Sequence, residues 1–185
     1  MQNQNGNGIL EQYTGSLSQH IQTEYSIPPK YYRGDLKLGL RNSDGTGVPI
    51  GVTRVGSVLG YMIEDGVRIP VPGQLYYRGI ELTEIVEAHR QAGTFGYEEV
   101  AYLLLMGYLP SHSELNRFNE IMNRARKLPN GFTEDMIMKN PSRNIMNKLA
   151  RCVLSLYSYD DNPDDTSVEN MLMQSIKIVG CFPSI

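Results

Sequence analysis

The sequence lacks several features that would identify particular classes of protein. It has no tryptophan, two cysteines and three histidines among 185 residues. Cys152 and Cys181 both stand inside apolar, helix-like patterns. Without a CxxC pair or a His/Cys cluster, the sequence predicts no zinc or other metal site. Two buried thiols outside any disulfide framework favour a reducing compartment, so the predicted location is the cytoplasm.

Long apolar runs are missing as well. The most apolar window, residues 168–185, is interrupted by Glu169, Asn170, Gln174 and Lys177. A membrane span needs about 20 predominantly apolar residues, so this window does not qualify. The first residues, MQNQNGNGILEQY, have neither the basic start nor the apolar run of a secretory signal. We therefore expect a soluble protein that has no membrane partner.

A strong excess of either charge is also absent. The formal net charge is −3 and the isoelectric point is near 5.6. The densest basic group lies between Arg117 and Lys127, where it is interleaved with Glu114 and Glu120. That mixture is typical of a solvated helix face, so nucleic acid is not a predicted partner.

The three histidines do not form a catalytic set. His89 extends an apolar stripe at helical spacing, which favours a packed or partly exposed helix histidine over a catalytic one. His112 stands at a helix start and His20 near the N-terminus. No Ser-His-Asp or Cys-His arrangement can be assembled from these positions. The sequence alone therefore predicts no catalytic residue.

An acidic run between Asp160 and Asp165 raises the possibility of a calcium loop. An EF-hand loop that began at Asp160 would need glycine at its sixth position and glutamate at its twelfth. The chain has Asp165 and Met171 at those positions. The run is better interpreted as an acidic cap at the start of the last helix.

Glycines cluster near residues 39–47 without forming a phosphate-binding motif. Their spacing matches neither GxGxxG nor a P-loop, and no lysine follows as a Walker motif requires. Arg41 lies beside this turn, and its forked guanidinium could contact a phosphate. From the residues alone, an ordinary surface arginine is the alternative.

The chain divides by pattern into four segments. Residues 1–8 are rich in Asn, Gln and Gly and are predicted to be disordered. Residues 9–50 are predicted to hold a helix to about residue 24 and then an arm, and residues 51–78 a small β-sheet. In that sheet Asp65-Gly66 is a two-residue hairpin signal, Pro70 and Pro72 should break the returning strand, and residues 75–77 should form a third strand.

The fourth segment, residues 79–185, is predicted to be helical, so the fold class is mainly α. Apolar periodicity predicts helices over 81–92, 97–108, 113–127, 143–158 and 167–182, with a short one starting at Thr133. Pro141-Ser142 should cap the helix over 143–158. The last two long helices each show two apolar faces, and the chain supplies little cover for the last of them. A later segment or a second subunit is expected to do so.

Several stretches together resemble the citrate synthase family. They are Gly-Leu-Arg at 39–41, a β-hairpin, Leu-Tyr-Tyr-Arg-Gly at 75–79, and the run from Tyr97 to Pro110, YEEVAYLLLMGYLP. The resemblance extends from about residue 36 to the end and is to the N-terminal portion of such an enzyme. It implies a multi-helical large domain with a small β-sheet near its N-terminus.

The resemblance also implies an activity, namely condensation of acetyl-CoA with oxaloacetate to give citrate and free CoA in the tricarboxylic acid cycle. The family's catalytic aspartate and histidines lie in its C-terminal half and have no counterpart here, so this chain alone should be inactive. No tightly bound cofactor is implied. The arginine of the family's Gly-Leu/Met-Arg motif contacts CoA phosphates and matches Arg41. The helices over 143–158 and 167–182 match members of the family's homodimer interface.

Two alternatives remain open at this point. One is a 2-methylcitrate synthase, which uses propionyl-CoA. The other is a non-catalytic helical interaction domain that buries residues 143–182 in a partner.

Overall fold

The computed structural model describes residues 4–31 and 52–185 and is mainly helical. In chain order its elements are α1 (Gln4–Tyr25), β1 (Gly56–Glu64), β2 (Val67–Tyr77), β3 (Ile80–Glu81), α2 (Leu82–Ala92), α3 (Tyr97–Met106), α4 (His112–Ala125), a π-helix (Thr133–Met138), α5 (Ile145–Leu156) and α6 (Val168–Cys181). Three-residue 3₁₀ turns follow α1, α5 and α6, at Pro29–Tyr31, Tyr157–Tyr159 and Phe182–Ser184. In the part of the chain that is described, no helix is both long and apolar enough to cross a bilayer.

The predicted hairpin is confirmed. β1 and β2 pair antiparallel from Glu64↔Val67 outward, and Asp65 and Gly66 form the turn with φ of 49° and 78°. Two successive positive φ values are what a type I′ turn requires, and Asp-Gly is a favoured pair there. The small sheet has the order β1-β2-β3.

The prediction that Pro70 and Pro72 break the returning strand is wrong, since β2 runs without interruption from Val67 to Tyr77. The register explains why. Tyr61 pairs with Pro70 and Leu59 with Gln74, so two residues of β1 span four of β2. The resulting bulge contains Pro72, and a strand tolerates proline at such an irregularity because a ladder hydrogen bond is already missing. The third strand is therefore not at 75–77 but at Ile80–Glu81.

Helix boundaries differ from the predictions at two N-termini. α1 begins at Gln4, whereas the periodicity predicted a start at Ile9. α5 is capped by Asn144, whose side chain accepts a 2.9 Å hydrogen bond from the backbone N–H of Asn147, and not by Pro141-Ser142. Asparagine is among the best N-cap residues because its oxygen reaches an otherwise unpaired N–H. α4 starts with a full capping box between Ser111 and Glu114.

The chain forms two compact units. The first contains residues 1–22 and 111–185, and the second contains residues 23–110. The second unit thus joins the sheet to α2 and α3, while the first joins most of α1 to α4, α5 and α6. The limits of these two units differ from those of the four segments predicted from the sequence. The division into four segments stays a prediction.

The core of the first unit is built around α4 and α6. Phe118, Phe132 and Ile176 are fully buried in it, and Tyr13 and Leu10 of α1 are buried as well. The expectation that the chain gives α6 little cover is wrong. α6 buries Asn170, Leu172, Ile176, Gly180 and Cys181 within this unit. The helix is apolar on most sides because its own chain surrounds most of it.

Helices α4 and α6 meet at Gly180. A Cβ placed on this residue would lie 2.5 Å from Cβ of Ala125, 3.2 Å from the Ala125 carbonyl carbon and 3.3 Å from the Met122 carbonyl oxygen. Two of these three atoms are backbone and cannot move aside without shifting α4. The close crossing of the two helices therefore requires glycine.

We predict that Gly180→Ala destabilises the chain in spite of alanine's better helix propensity. Overpacking a core contact costs about 1–3 kcal/mol, and the propensity gain of about 1 kcal/mol offsets only part of it. The control is Gly8→Ala in α1, where an added Cβ meets nothing within 4 Å. Urea denaturation should show a lower midpoint for Gly180→Ala and an equal or higher one for Gly8→Ala. Equal midpoints for Gly180→Ala and the wild type would contradict the close contact.

Candidate functional site

Arg41, the one site residue predicted from the sequence, lies outside the described residues. Its contact with a CoA phosphate stays a prediction. The structure does place three other features that bear on function. They are a cavity in the first unit, an exposed apolar face on α5, and the turn that follows β2 in the second unit.

The cavity lies among α4, α5 and α6 and has a volume of about 690 Å³. Its walls are mainly apolar, with Ile121, Val153, Leu156 and Ile178 among the lining side chains. Cys181 also lines it, and burial raises the pKa of this thiol. The thiol therefore stays protonated at neutral pH and serves as packing, not as a nucleophile.

Charged groups stand around the same cavity. Arg124, Lys127 and Lys177 line it together with Asp160, so cations exceed anions. Gln174 is held in place by the loop before α6, with its Nε2 3.1 Å from Oδ2 of Asp160 and 3.2 Å from the Pro163 carbonyl oxygen. An apolar wall with an excess of cations can accept a molecule that has an apolar part and an anionic group.

Sequence reasoning missed this cavity. The sequence predicts that Arg124 and Lys127 belong to a solvated helix face, and nothing in the local pattern places them beside Lys177, fifty residues further on. The available signal was the apolar pattern of α5, because Val153 and Leu156 of that helix line the cavity.

The second apolar face of α5 is exposed. Met146 and Leu154 are 74% and 76% exposed, and Tyr157, just after the helix, is 56% exposed. Met146, Leu154 and Tyr157 recur at spacings of eight and three residues, which places them on one side of a helix. The prediction of two apolar faces on the helix over 143–158 is thus confirmed, and the described part of the chain leaves one of them uncovered.

The histidine and acidic residues singled out from the sequence have local partners. Nε2 of His89 lies 2.6 Å from Oε2 of Glu99, and its Nδ1 lies 2.9 Å from Oγ1 of Thr94. These contacts join the end of α2 to the start of α3.

In the acidic loop, Asp164 accepts a hydrogen bond from Tyr157, and this bond raises the pKa of the phenol. No group of three His, Cys, Asp or Glu side chains is arranged to hold a metal within residues 4–31 and 52–185.

In the second unit, the Leu-Tyr-Tyr-Arg-Gly run forms the end of β2 and the turn into β3. The family model described as "Citrate synthase, C-terminal domain" matches residues 44–185, which include this run, all of the sheet and every helix after it. The chain belongs to the citrate synthase family. The resemblance found in the motifs is thereby confirmed, as is the mainly α, citrate synthase-like fold. The position of the chain within a full-length citrate synthase, expected to be the N-terminal portion, stays a prediction.

A curated relative supports the same family. Over 112 residues the chain is 28% identical to "Citrate/2-methylcitrate synthase" of Bacillus subtilis (strain 168). The alignment covers 60% of this chain and 28% of the relative. The chain thus matches only a little over a quarter of a protein whose name includes both activities.

Proposed function

We propose that this chain is part of a citrate synthase that condenses acetyl-CoA with oxaloacetate to give citrate and CoA. The family match over residues 44–185 is the observation on which the proposal rests. The proposal includes two further points. The catalytic aspartate and histidines come from a part of the family's sequence that this chain does not match, and the 185-residue chain is inactive alone.

The test is reconstitution with the missing part. The chain would be mixed with a separately produced fragment of the Bacillus subtilis relative, comprising everything that follows the aligned region. Release of free thiol from acetyl-CoA in the presence of oxaloacetate would be followed. Activity that needs both pieces supports the proposal. If the mixture is no more active than the relative's fragment alone, while this chain binds an unrelated protein through α5, the chain is a non-catalytic interaction domain.

A second candidate function is 2-methylcitrate synthesis, which uses propionyl-CoA. It is favoured by the name of the relative, which includes both products. The same reconstituted mixture distinguishes the two functions by the ratio of the rates with acetyl-CoA and propionyl-CoA. Control mixtures in which the matching segment of the relative replaces this chain would show how much of the preference the chain itself determines.

We further propose that the chain forms a homodimer through the helices over 143–158 and 167–182. Support comes from the exposed face of α5, because burying Met146 and Leu154, each about three-quarters exposed, would stabilise an interface by about 1.5–3 kcal/mol each. α6 contributes less than its sequence suggested. Among the described residues of α6, Met171 is the large apolar side chain that is markedly exposed, at 45%.

We predict that Leu154→Glu converts the dimer to a monomer while the chain stays folded. Leu154 is 76% exposed, so glutamate costs little in the monomer but would bring an unpaired charge into the interface. Light scattering gives the mass and circular dichroism the helix content. Val86→Glu on α2, where the valine is 58% exposed, is the matched control and should leave the dimer intact. A Leu154→Glu chain with the wild-type mass would contradict the proposed interface.

A further inference from the structure

The cavity of the first unit is walled by three helices, and two of them each contribute a single side. The lining residues of α4 and those of α6 recur at spacings of three and four, which places them on one side of each helix. On α6 this side consists of Gln174, Lys177, Ile178 and Cys181. Polar and apolar side chains therefore alternate along one wall, so a ligand in the cavity would meet both kinds of group.

The spacing between the α4 and α6 walls is set by close packing. Ala125 lines the cavity and is also the residue on which Gly180 packs, since a Cβ on Gly180 would lie 2.5 Å from Cβ of Ala125. Arg124 is next to Ala125 in α4, and Lys177 lies one turn before Gly180 in α6. These two cations thus stand on helices that are held in contact. A site that is formed before its ligand arrives binds the ligand at a smaller cost in entropy.

The cations around the cavity are available to an anion. In the part of the chain that the structure describes, no carboxylate lies within ion-pair distance of Arg124, Lys127 or Lys177. Arg124 and Lys127 are exposed, whereas Lys177 is half-buried. An anion beside a half-buried cation is screened less by water and salt than an anion beside an exposed one.

The acidic residue Asp160 also lines the cavity, but both of its oxygens are engaged in its own loop and by α6. Its Oδ1 accepts a 3.0 Å hydrogen bond from the backbone N–H of Asn162, and its Oδ2 accepts one of 3.1 Å from Nε2 of Gln174. The carboxylate is therefore held away from the three cations. The charge presented to a ligand is positive, and this favours an anionic group.

The remaining lining is mainly aliphatic. Ile121, Val153, Leu156 and Ile178 come from all three helices, and the cavity volume of about 690 Å³ lies within the range of about 300–1,000 Å³ that is typical of small-molecule sites. We propose that this cavity binds a medium-chain aliphatic carboxylate. Its hydrocarbon chain lies against the aliphatic side chains and its carboxylate lies between Arg124 and Lys177. This ligand site is additional to the proposed synthase activity and does not depend on it.

Calorimetric titration of the whole chain is the test, and hexanoate, octanoate and decanoate are the probes. Each methylene that enters the apolar part of the cavity should lower the Kd about fourfold, so octanoate should bind about 15-fold more tightly than hexanoate. Octanol and octylamine have the same chain with no charge and with the opposite charge, and both should bind more weakly than octanoate. No binding of any carboxylate at millimolar concentration, or equal affinity for octanoate and octylamine, would overturn the proposal.

Variants that remove one charge test where the carboxylate lies. Arg124→Gln and Lys177→Gln should each raise the Kd for octanoate about fivefold, because a unit charge at about 4 Å contributes that factor even in water. Neither change should alter the Kd for octanol. Arg143→Gln is the matched control, since it removes a cation from an exposed position of the same unit that does not line the cavity. An octanoate Kd that is unchanged in both variants, or raised equally by Arg143→Gln, would overturn the proposal.

A change of volume tests where the hydrocarbon chain lies. Val153→Phe puts a larger side chain into the wall and should weaken octanoate and octanol alike, with circular dichroism as the check on folding. Unchanged affinity for both ligands in a folded Val153→Phe chain would overturn the proposal. If this variant does not fold, the wild-type series decides the same point, because a Kd independent of chain length also overturns it.

The readout is kept separate from assembly and from activity. Leu154 and Tyr157 line the cavity and also lie on the exposed face of α5, so the three variants that test the site leave both residues unchanged. Light scattering with and without octanoate shows whether the mass of each sample stays the same. Because binding is measured without turnover, failure of the proposed synthase activity would leave this result unaffected.

Discussion

Ile176→Glu is expected to unfold the first unit, in contrast to the mild effect expected of Leu154→Glu. Ile176 lies in α6 and is fully buried within that unit. Moving an ionised carboxylate into such a site costs several kcal/mol even after relaxation. The hydrophobic contribution of the isoleucine, about 1.5–3 kcal/mol, is lost as well. Because a domain's total stability is about 5–15 kcal/mol, this single change should remove most of it.

Circular dichroism during heating is the measurement. We expect the cooperative transition of the wild-type chain to be lost, or its midpoint to fall by tens of degrees, in Ile176→Glu. Ile176→Val is the conservative control and should cost about 0.5–1.5 kcal/mol. A folded Ile176→Glu chain that became monomeric would mean that α6 presents this residue to a partner, contrary to its burial in the chain. The comparison with Leu154→Glu thus separates loss of fold from loss of association.

The elements that sequence reasoning predicted correctly are those set by neighbouring residues. The Asp65-Gly66 turn follows from local backbone preference, and α2 and α4 from apolar residues at helical spacing. The prediction for Pro72 is wrong because this residue lies in a bulge, and the bulge depends on how β1 pairs with β2. Local rules describe what proline does to a regular ladder, and this ladder is irregular at that point.

The prediction that the chain supplies little cover for α6 is wrong for a different reason. Periodicity shows which side of a helix is apolar but not which segment packs against it. The residues that cover α6 come from α4 and from α1, as the contacts at Gly180 and Gly15 illustrate. These partners are about 55 and 150 residues away in sequence. The sequence predicts two apolar faces for α5 as well, yet one face of α5 is exposed. The same sequence pattern therefore has two different structural outcomes.

The candidate site was predictable only in part. The Leu-Tyr-Tyr-Arg-Gly run identified the family, but neither its spacing nor its composition showed which groups Arg78 contacts. In the folded chain its guanidinium donates a hydrogen bond to the Leu104 carbonyl oxygen and lies over the ring of Tyr25. The cavity likewise depends on residues brought together from α4, α5 and α6. Arg41 stays a prediction that rests on the family resemblance.

The ring of Tyr25 packs closely against Gly107, and Gly107→Ala is expected to have the largest effect of any glycine substitution in the second unit. Gly107 ends α3 with φ of 89°. A Cβ there would lie 2.4–2.7 Å from three atoms of the Tyr25 ring. The left-handed backbone would lower the free energy of unfolding of the alanine variant by about 1–2 kcal/mol. Displacement of the ring would lower it by about 1–3 kcal/mol more.

Gly93→Ala separates these two contributions. Gly93 ends α2 with φ of 65°, and an added Cβ meets nothing within 4 Å, so this change has the backbone cost alone. Urea denaturation should place Gly107→Ala below Gly93→Ala, and both below the wild type. Equal stability of the two variants would contradict close packing of Tyr25 on Gly107, and with it one of the contacts that hold the end of α1.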